Sequence, residues 1–141
     1  MFMGEYNHTV DEKGRLIIPS KFRDELANSF FVTKGLDGCL FAFPKNEWEA
    51  FEEKLKGLPL SNKDARSFVR YMLGGAAEVE IDKQGRTLIP QNLRTFAKLE
   101  KDVTLVGVAS RFEIWSKESW EGASEDTDGE ELAAKMEFLG I

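Results

Sequence analysis

Two stretches in which polar and apolar residues alternate begin two similar units of the chain. Residues 6–10 (YNHTV) and 77–81 (AEVEI) have the period of two that is typical of half-buried β-strands. Each is followed by Asp-x-x-Gly, which suits the first and fourth positions of a type I turn. A second short apolar segment then follows, at residues 15–18 or 86–89. The pattern predicts a β-hairpin at the start of each unit.

Proline residues end both predicted hairpins. Pro19 and Pro90 lack the N–H group that a sheet ladder requires, so each ends its strand and begins a short helix. Two more apolar strands are predicted in each unit, at residues 30–33 and 39–43 and at residues 103–108 and 111–115. Each unit therefore has the element order β-β-α-β-β, and the predicted fold class is α+β.

The two units are an internal repeat with an offset of 71 residues. Residues 11–23 (DEKGRLIIPSKFR) and 82–94 (DKQGRTLIPQNLR) share six of thirteen positions, where unrelated segments of average composition share about one. The identical pairs are Asp11/Asp82, Gly14/Gly85, Arg15/Arg86, Ile18/Ile89, Pro19/Pro90 and Arg23/Arg94. A unit of this size buries little core alone, so we expect the two to fold together as an intertwined or shared barrel.

Helices are predicted after each unit. Asn46 is predicted to cap the first helix between the units, and Ser61 is predicted to cap the second helix. The cations of that second helix are interpreted as a solvated face; they are Lys63, Arg66 and Arg70. We divide the chain into a first repeat (1–48), a helical connector (49–73), a second repeat (74–120) and a C-terminal tail (121–141).

The net charge of −6 is concentrated near the C-terminal end. Residues 117–141 include eight acidic and two basic residues, whereas the rest of the chain has 17 of each. Net charge governs solubility and non-specific association, so it does not exclude DNA as the partner of one local basic site. Residues 122–129 are small, polar and acidic, which predicts a mobile linker.

The sequence has none of the residue patterns that membrane insertion, a disulfide bond, a metal site or catalysis requires. No apolar run approaches the roughly 20 residues of a membrane helix, and residues 1–10 do not have the pattern of a secretory signal. With one cysteine, Cys39, and one histidine, His8, neither an internal disulfide nor a zinc site is expected. We expect a cytoplasmic protein without metal or other cofactor. No nucleophile–base set indicates an enzyme, although Asp11 and Asp82 are a symmetric pair of carboxylates.

Arg15 and Arg86 are the candidate binding residues, because each directly follows a predicted tight turn. A guanidinium group binds a phosphate through two hydrogen bonds or reads the O6/N7 edge of guanine in a major groove. Lys13 and Lys83 lie in the same turns and add phosphate attraction. The alternative is an ion pair between each arginine and the nearby aspartate. From the residues alone, the two interpretations are equal.

The other duplicated residues have structural interpretations. The turns are assigned to Asp11, Gly14, Asp82 and Gly85. An aspartate side chain accepts hydrogen bonds from backbone N–H groups two or three residues on, and glycine permits a positive φ. Arg23 and Arg94 lie on predicted helices, where an arginine more often pairs structurally or covers apolar surface.

Several segments have the pattern of a known family. They are residues 2–8 (FMGEYNH), Asp11-x-Lys13-Gly14-Arg15, residues 82–90 (DKQGRTLIP) and residues 111–115 (RFEIW). Together they resemble the MraZ family, and the resemblance extends from Met1 to about Trp120. Two Asp-x-x-x-Arg motifs in AbrB-like repeats of one chain are specific, whereas a single copy would be a weak signal.

The resemblance implies a swapped-hairpin, or double-split, β-barrel built from two AbrB-type repeats. It also implies a bacterial transcriptional regulator that forms closed homo-oligomeric rings and is associated with the nucleoid. Such a protein binds double-stranded DNA upstream of the division and cell-wall gene cluster, and it represses that cluster and its own gene. The resemblance favours DNA contact by Arg15 and Arg86 over the ion-pair alternative.

A second interpretation is an antitoxin-like module, because AbrB-type domains also form the DNA-binding half of toxin–antitoxin pairs. In that case the acidic tail, with Leu132, Met136, Phe138 and Leu139, would fold on a protein partner. The duplication within one chain argues against it, since antitoxins of this type usually pair two chains.

Overall fold

The computed structural model describes residues 1–141 and has two copies of the order β-β-α-β-β. The first copy consists of β1 (Phe2–Thr9), β2 (Arg15–Ile17), α1 (Ser20–Arg23), β3 (Ser29–Lys34) and β4 (Leu40–Phe43). Helices α2 (Lys45–Lys56) and α3 (Lys63–Gly74) follow it. The second copy consists of β5 (Ala77–Glu80), β6 (Arg86–Leu88), α4 (Gln91–Phe96), β7 (Asp102–Ala109) and β8 (Phe112–Ser116). Helices α5 (Lys117–Glu125) and α6 (Gly129–Lys135) and a 3₁₀ turn (Glu137–Leu139) end the chain. The α+β class and the repeat are confirmed.

The strands of the two repeats exchange partners. A six-stranded sheet has the order β1-β7-β8-β4-β3-β5, and β2 pairs with β6 as a separate two-stranded ribbon. Both elements are antiparallel throughout. The first strand of each repeat therefore pairs with a strand of the other repeat: β1 pairs with β7, and β5 pairs with β3. The sheet requires both repeats.

In each predicted hairpin only the turn forms as predicted. The prediction that the two strands on either side of the turn pair with each other is wrong. Only single bridges, Val10↔Leu16 and Ile81↔Thr87, join the two strands on either side of each turn. The hydrogen bonds of the eight residues of β1 go to β7, and those of β2 go to β6. Exchange gives β1 a full-length partner, which the three residues of β2 do not provide.

Alternation along the strands divides the core into two clusters. One face of the sheet packs against the β2–β6 ribbon, α1 and α4, where Leu16, Phe22 and Phe112 are buried. The opposite face packs against α2, α3 and α5, where Trp48 and Met72 are buried. The ribbon and the later helices therefore lie on opposite faces of the sheet.

The helix starts differ from the predicted ones. Helix α2 begins after Pro44 rather than at Asn46, and its N-terminus has no side-chain cap. In α3 the cap is Asn62, not Ser61, because the Asn62 side chain accepts a hydrogen bond from the Ala65 N–H at 2.9 Å. None of these helices combines the length and the hydropathy of a membrane-spanning segment.

The prediction of a linker over residues 122–129 is wrong for its first half. Ser116 caps α5 by accepting a hydrogen bond from the Ser119 N–H at 3.1 Å, and the helix continues to Glu125. Trp120 anchors this helix, since its ring lies 5.4 Å from that of Trp115 and its Nε1 donates to Glu5 Oε1 at 2.6 Å. The small, acidic composition did not prevent a helix because the cap and the Trp120 contact stabilise it.

Candidate nucleic-acid interface

The first turn is fixed by its aspartate. Asp11 Oδ1 accepts hydrogen bonds from the backbone N–H groups of Lys13 and Arg15, both at 2.9 Å. The backbone of Gly14 donates to the Asp11 carbonyl at 2.9 Å, with Gly14 at φ +84°. These bonds fix the backbone from which the Arg15 side chain begins.

The second turn repeats the first one bond for bond. Asp82 Oδ1 accepts from the N–H groups of Gln84 and Arg86 at 2.9 Å, and Gly85, at φ +79°, donates to the Asp82 carbonyl at 3.0 Å. The residue that corresponds to Lys13 is Gln84, so Lys83 occupies a different position in its turn. Both Lys13 and Lys83 are exposed.

Each arginine side chain is held by the aspartate of its own turn. Arg15 Nε donates to Asp11 Oδ2 at 2.7 Å, and Arg86 Nε donates to Asp82 Oδ2 at 3.0 Å. The intramolecular pair expected as the alternative to DNA contact is therefore present. In both pairs the arginine donates through Nε only. The terminal nitrogens of both guanidinium groups make no hydrogen bond within the chain. The pair orients the arginines and leaves their outer edges available.

The same bonds explain the acidity of the two carboxyl groups. The hydrogen bond from the Arg15 backbone lowers the pKa of Asp11 below its ordinary value, and the Arg15 side chain and the Lys13 backbone add to the effect. The pKa of Asp82 is lowered by the corresponding groups, with the Arg86 backbone first. Both aspartates therefore stay ionised at neutral pH and keep orienting their arginines.

The two turns lie side by side because the repeats bond to each other at these glycines. Ile18 N–H donates to the Gly85 carbonyl at 2.9 Å, and Ile89 N–H donates to the Gly14 carbonyl at 3.1 Å. The ribbon register places Arg15 opposite Leu88, and Ile17 opposite Arg86. With usual strand spacing, the Cα atoms of the two arginines are about 8 Å apart.

The ribbon has one buried and one exposed face. Leu16 and Thr87 point into the core, whereas the outward face consists of Arg15, Ile17, Arg86 and Leu88. Ile17 is 42% exposed and Leu88 is 57% exposed, which is unusual for apolar residues in the middle of a strand. The outward face thus presents two arginines at diagonal corners and two apolar side chains between them.

Two further arginines, which the sequence analysis had assigned to structural roles, lie at the turns. A Cβ atom at Gly85 would overlap the guanidinium group of Arg23, and one at Gly14 would lie 2.6 Å from Arg94 Cζ. Each of these arginines comes from one repeat and covers the turn of the other. Their identical positions in the duplicated segment were the signal that could have found them.

Partly buried His8 lies close to this group of cations. Burial, followed by the charge of Arg23, lowers the pKa of His8 from its usual 6.5. The imidazole is therefore neutral at physiological pH, as expected for a packed histidine. No group of three or more His, Cys, Asp or Glu side chains is arranged to hold a metal ion.

The chain matches the protein family described as "MraZ protein, putative antitoxin-like" over residues 1–71 and again over 72–138. It is similar to the transcriptional regulator MraZ of Clostridium tetani (60% identity over 142 residues) and to that of Clostridium beijerinckii (59% over 142). The transcriptional regulator MraZ of Acetivibrio thermocellus is 58% identical over 143 residues, and all three alignments cover 100% of both chains.

The fold and these relatives place the chain in a class of transcriptional regulators, which are not enzymes. The chain belongs to the MraZ family.

Proposed function

We propose that this regulator binds double-stranded DNA with the outward face of the β2–β6 ribbon. The observation that carries the proposal is the pair of oriented arginines on that face. Arg15 and Arg86 are each held at Nε by an aspartate, with the terminal nitrogens unpaired. Such a preorganised guanidinium edge matches the two acceptors of a guanine or the oxygens of a phosphate.

The ribbon has dimensions that suit a major groove. The groove is about 12 Å wide and admits a two-stranded β-ribbon, which other regulators use in this way. In this position Arg15 and Arg86 read guanine, and the exposed Ile17 and Leu88 contact the methyl groups of thymine.

The cations around the ribbon supply the sequence-independent part of binding. Lys13 and Lys83 are exposed in the turns, and Arg23 and Arg94 lie against the turn glycines. These four cations contact phosphates, which positions the ribbon without reading the sequence. Helix α5, from which the acidic tail continues, packs on the opposite face of the sheet from the ribbon.

A single ribbon makes too few contacts for tight binding at physiological salt. We therefore propose a homo-oligomer whose ribbons bind short repeated elements of one promoter together. The family resemblance implies that this oligomer is a ring. Following the family resemblance, the target is the promoter of the division and cell-wall gene cluster in the nucleoid. Binding there represses the cluster and the gene of the regulator itself.

An antitoxin-like role is the second candidate, supported by the description of the matched family and by the exposed apolar residues of the tail. It shares the DNA-binding ribbon and differs only in what covers the tail. Co-purification of a small, unrelated protein with the full-length chain in stoichiometric amount would favour this candidate.

The test of the proposed function is a footprint of the purified protein on the DNA upstream of its own gene. We expect protection of regularly spaced short elements, and loss of protection when the elements are scrambled at constant composition. Absence of any protected region at low salt, where electrostatic binding is strongest, would contradict the proposal.

A further inference from the structure

The turn of the second repeat is held by one short segment of the first repeat. The N–H group of Ile18 donates to the Gly85 carbonyl at 2.9 Å, and the guanidinium group of Arg23, from the helix that follows, lies against the same glycine. Gly85 directly precedes Arg86 in the chain. The backbone from which the Arg86 side chain begins is therefore fixed by two contacts from the other repeat.

The turn of the first repeat is held in the same way by the second repeat. The N–H group of Ile89 donates to the Gly14 carbonyl at 3.1 Å, and a Cβ atom at Gly14 would lie 2.6 Å from Arg94 Cζ. Arg94 is anchored to its own segment, because its Nε donates to the Ile89 carbonyl at 2.9 Å. The contacts that precede Arg15 are thus the counterparts of those that precede Arg86.

Ion pairing does not account for Arg23 and Arg94. Neither residue forms a salt bridge with a carboxylate of the chain. The terminal nitrogens of both guanidinium groups also make no hydrogen bond within the chain, since the one bond of Arg94 goes through Nε. What the two arginines share is their position in the duplicated segment and a turn glycine of the other repeat as their neighbour. Their placement therefore points to a role at the turns.

The conformation of the two glycines explains why a contact with the turns matters for binding. Gly14 and Gly85 have positive φ angles, which glycine adopts easily because its backbone is the least restricted of all residues. A planar guanidinium group packed against each glycine restricts that freedom, because even one added carbon atom would meet it. A binding side chain must be held within about 0.5 Å and 10–20° of its productive geometry. The arginine that follows each glycine therefore depends on the contact.

We propose that Arg23 and Arg94 are positioning residues that act across the repeats. Arg23 holds Arg86 in the orientation that reads DNA, and Arg94 holds Arg15. The inference rests on the proposed function, because it concerns the same two reading arginines. It gives Arg23 and Arg94 a role beyond phosphate attraction, and it makes each half of the reading face depend on a residue of the opposite repeat.

The first measurement uses the full-length protein without DNA and follows the Nε–H groups of Arg15 and Arg86 by NMR of ¹⁵N-labelled arginine. We expect Arg23→Ala to speed exchange of the Arg86 Nε proton with water by about fivefold or more, and to leave that of Arg15 within about twofold. Arg94→Ala should have the opposite selectivity, whereas a general loss of stability would change both signals together. Lys21→Ala removes an exposed cation from the same helix as Arg23 and is the matched control, which should change neither signal.

The second measurement is the affinity for duplex DNA from upstream of the protein's own gene, in two double-mutant cycles. Arg23→Ala and Arg86→Ala remove the same interaction, so their double variant should bind about fivefold or more tighter than the product of the single losses requires. Arg23→Ala with Arg15→Ala should match that product within about twofold. A phosphate contact of Arg23 alone would add equally in both cycles. Arg23→Lys keeps the charge but not the planar group, so it should act in both measurements as Arg23→Ala does.

The outcomes separate the inference from the proposed function. Proton exchange that Arg23→Ala changes equally at Arg15 and Arg86, or at neither, would overturn the inference, and so would equal coupling in the two cycles. If exchange changes as expected but wild type binds the upstream duplex no better than a scrambled one, the proposed function fails while the positioning of Arg86 by Arg23 stands.

Discussion

The guanidinium group of Arg23, on α1 of the first repeat, lies against the backbone of Gly85 in the turn of the second repeat. Arg94 lies against Gly14 in the same way, with Arg94 Nε donating to the Ile89 carbonyl at 2.9 Å. Each turn is therefore covered by an arginine from the other copy, which couples the position of the candidate DNA-binding residues to the packing of the two repeats.

Replacement of Gly85 by alanine tests this relationship. Gly85→Ala places a side chain at a strained positive φ and displaces the flexible end of the Arg23 side chain. We expect a loss of about 1–3 kcal/mol of unfolding free energy, most of it from the backbone strain. Gly38→Ala is the matched control, because Gly38 also has a positive φ but no atom within 4 Å of an added Cβ. Urea denaturation measures both variants. Equal losses in the two would show that Arg23 does not restrict the turn.

Thr87 offers a substitution that should stabilise the protein. Its hydroxyl is buried under the ribbon, opposite Leu16, and has no hydrogen-bond partner. Thr87→Val replaces an unsatisfied polar group by a methyl group of similar size, so we expect a gain of about 1 kcal/mol. Thermal denaturation measures the gain, and DNA affinity should not change, because residue 87 points away from the outward face. Destabilisation would mean that the hydroxyl is satisfied in solution.

His8 is the only histidine, so its imidazole gives a single titration curve by NMR. Burial and Arg23 lower its pKa, so the folded state favours the neutral form. Its contribution to stability is therefore present above pH 6.5 and is lost as the pH falls through the lower pKa of the folded protein. We expect Arg23→Ala to bring the pKa part of the way back towards 6.5.

Bound DNA should raise the same pKa, because a phosphate near Arg23 offsets the charge that disfavours the imidazolium ion. An unchanged titration of His8 at saturating DNA would contradict contact with this side of the ribbon.

The turns could be predicted from the sequence, whereas the pairing of the strands could not. Asp11 and Gly14 have local roles that their residue types determine, and the duplication at Asp82 and Gly85 repeated the evidence. The pairing of Arg15 with Leu88 depends on contacts between residues more than 70 positions apart, which no local pattern encodes. For this reason the exchange of strands was implied only by the family resemblance.

The roles of Arg23 and α5 also depended on tertiary structure. Arg23 has the sequence environment of an ordinary helix-borne arginine, and only the packing of the repeats brings it to Gly85. Helix α5 contains Gly122, a poor helix former, and the cap at Ser116 and the contact of Trp120 with Glu5 stabilise it. Its position on the sheet could not be inferred from composition.

The extent of α5 determines how far the chain can be shortened from its C-terminus without loss of stability. Truncation after Asp126 removes only α6 and the 3₁₀ turn, which bury no residue, so we expect cooperative melting of the remaining monomer. Truncation after Ser116 removes α5 with Trp120 and exposes part of the second core cluster, so we expect a clear loss of stability. Differential scanning calorimetry compares the two. A failure of the 1–126 chain to melt cooperatively would place the tail in the core.

The central claim concerns the outer edges of Arg15 and Arg86. Arg15→Ala and Arg86→Ala should change the unfolding free energy by less than about 1 kcal/mol, because both side chains are partly exposed. Each should reduce affinity for the promoter elements by about 1–3 kcal/mol per bound ribbon, and more across an oligomer. Arg15→Lys keeps the charge but not the planar guanidinium group, so we expect it to lose sequence preference before it loses non-specific binding.

The most direct measurement is the dissociation constant for the promoter elements and for scrambled DNA, at one stated salt concentration, with melting temperatures alongside. The matched control is Lys54→Ala, which removes an exposed cation from α2, on the opposite face of the sheet. The account predicts that the two arginine variants melt like wild type and lose specific binding, while Lys54→Ala retains it. Wild-type affinity and specificity in folded Arg15→Ala and Arg86→Ala would show that the ribbon does not read the DNA.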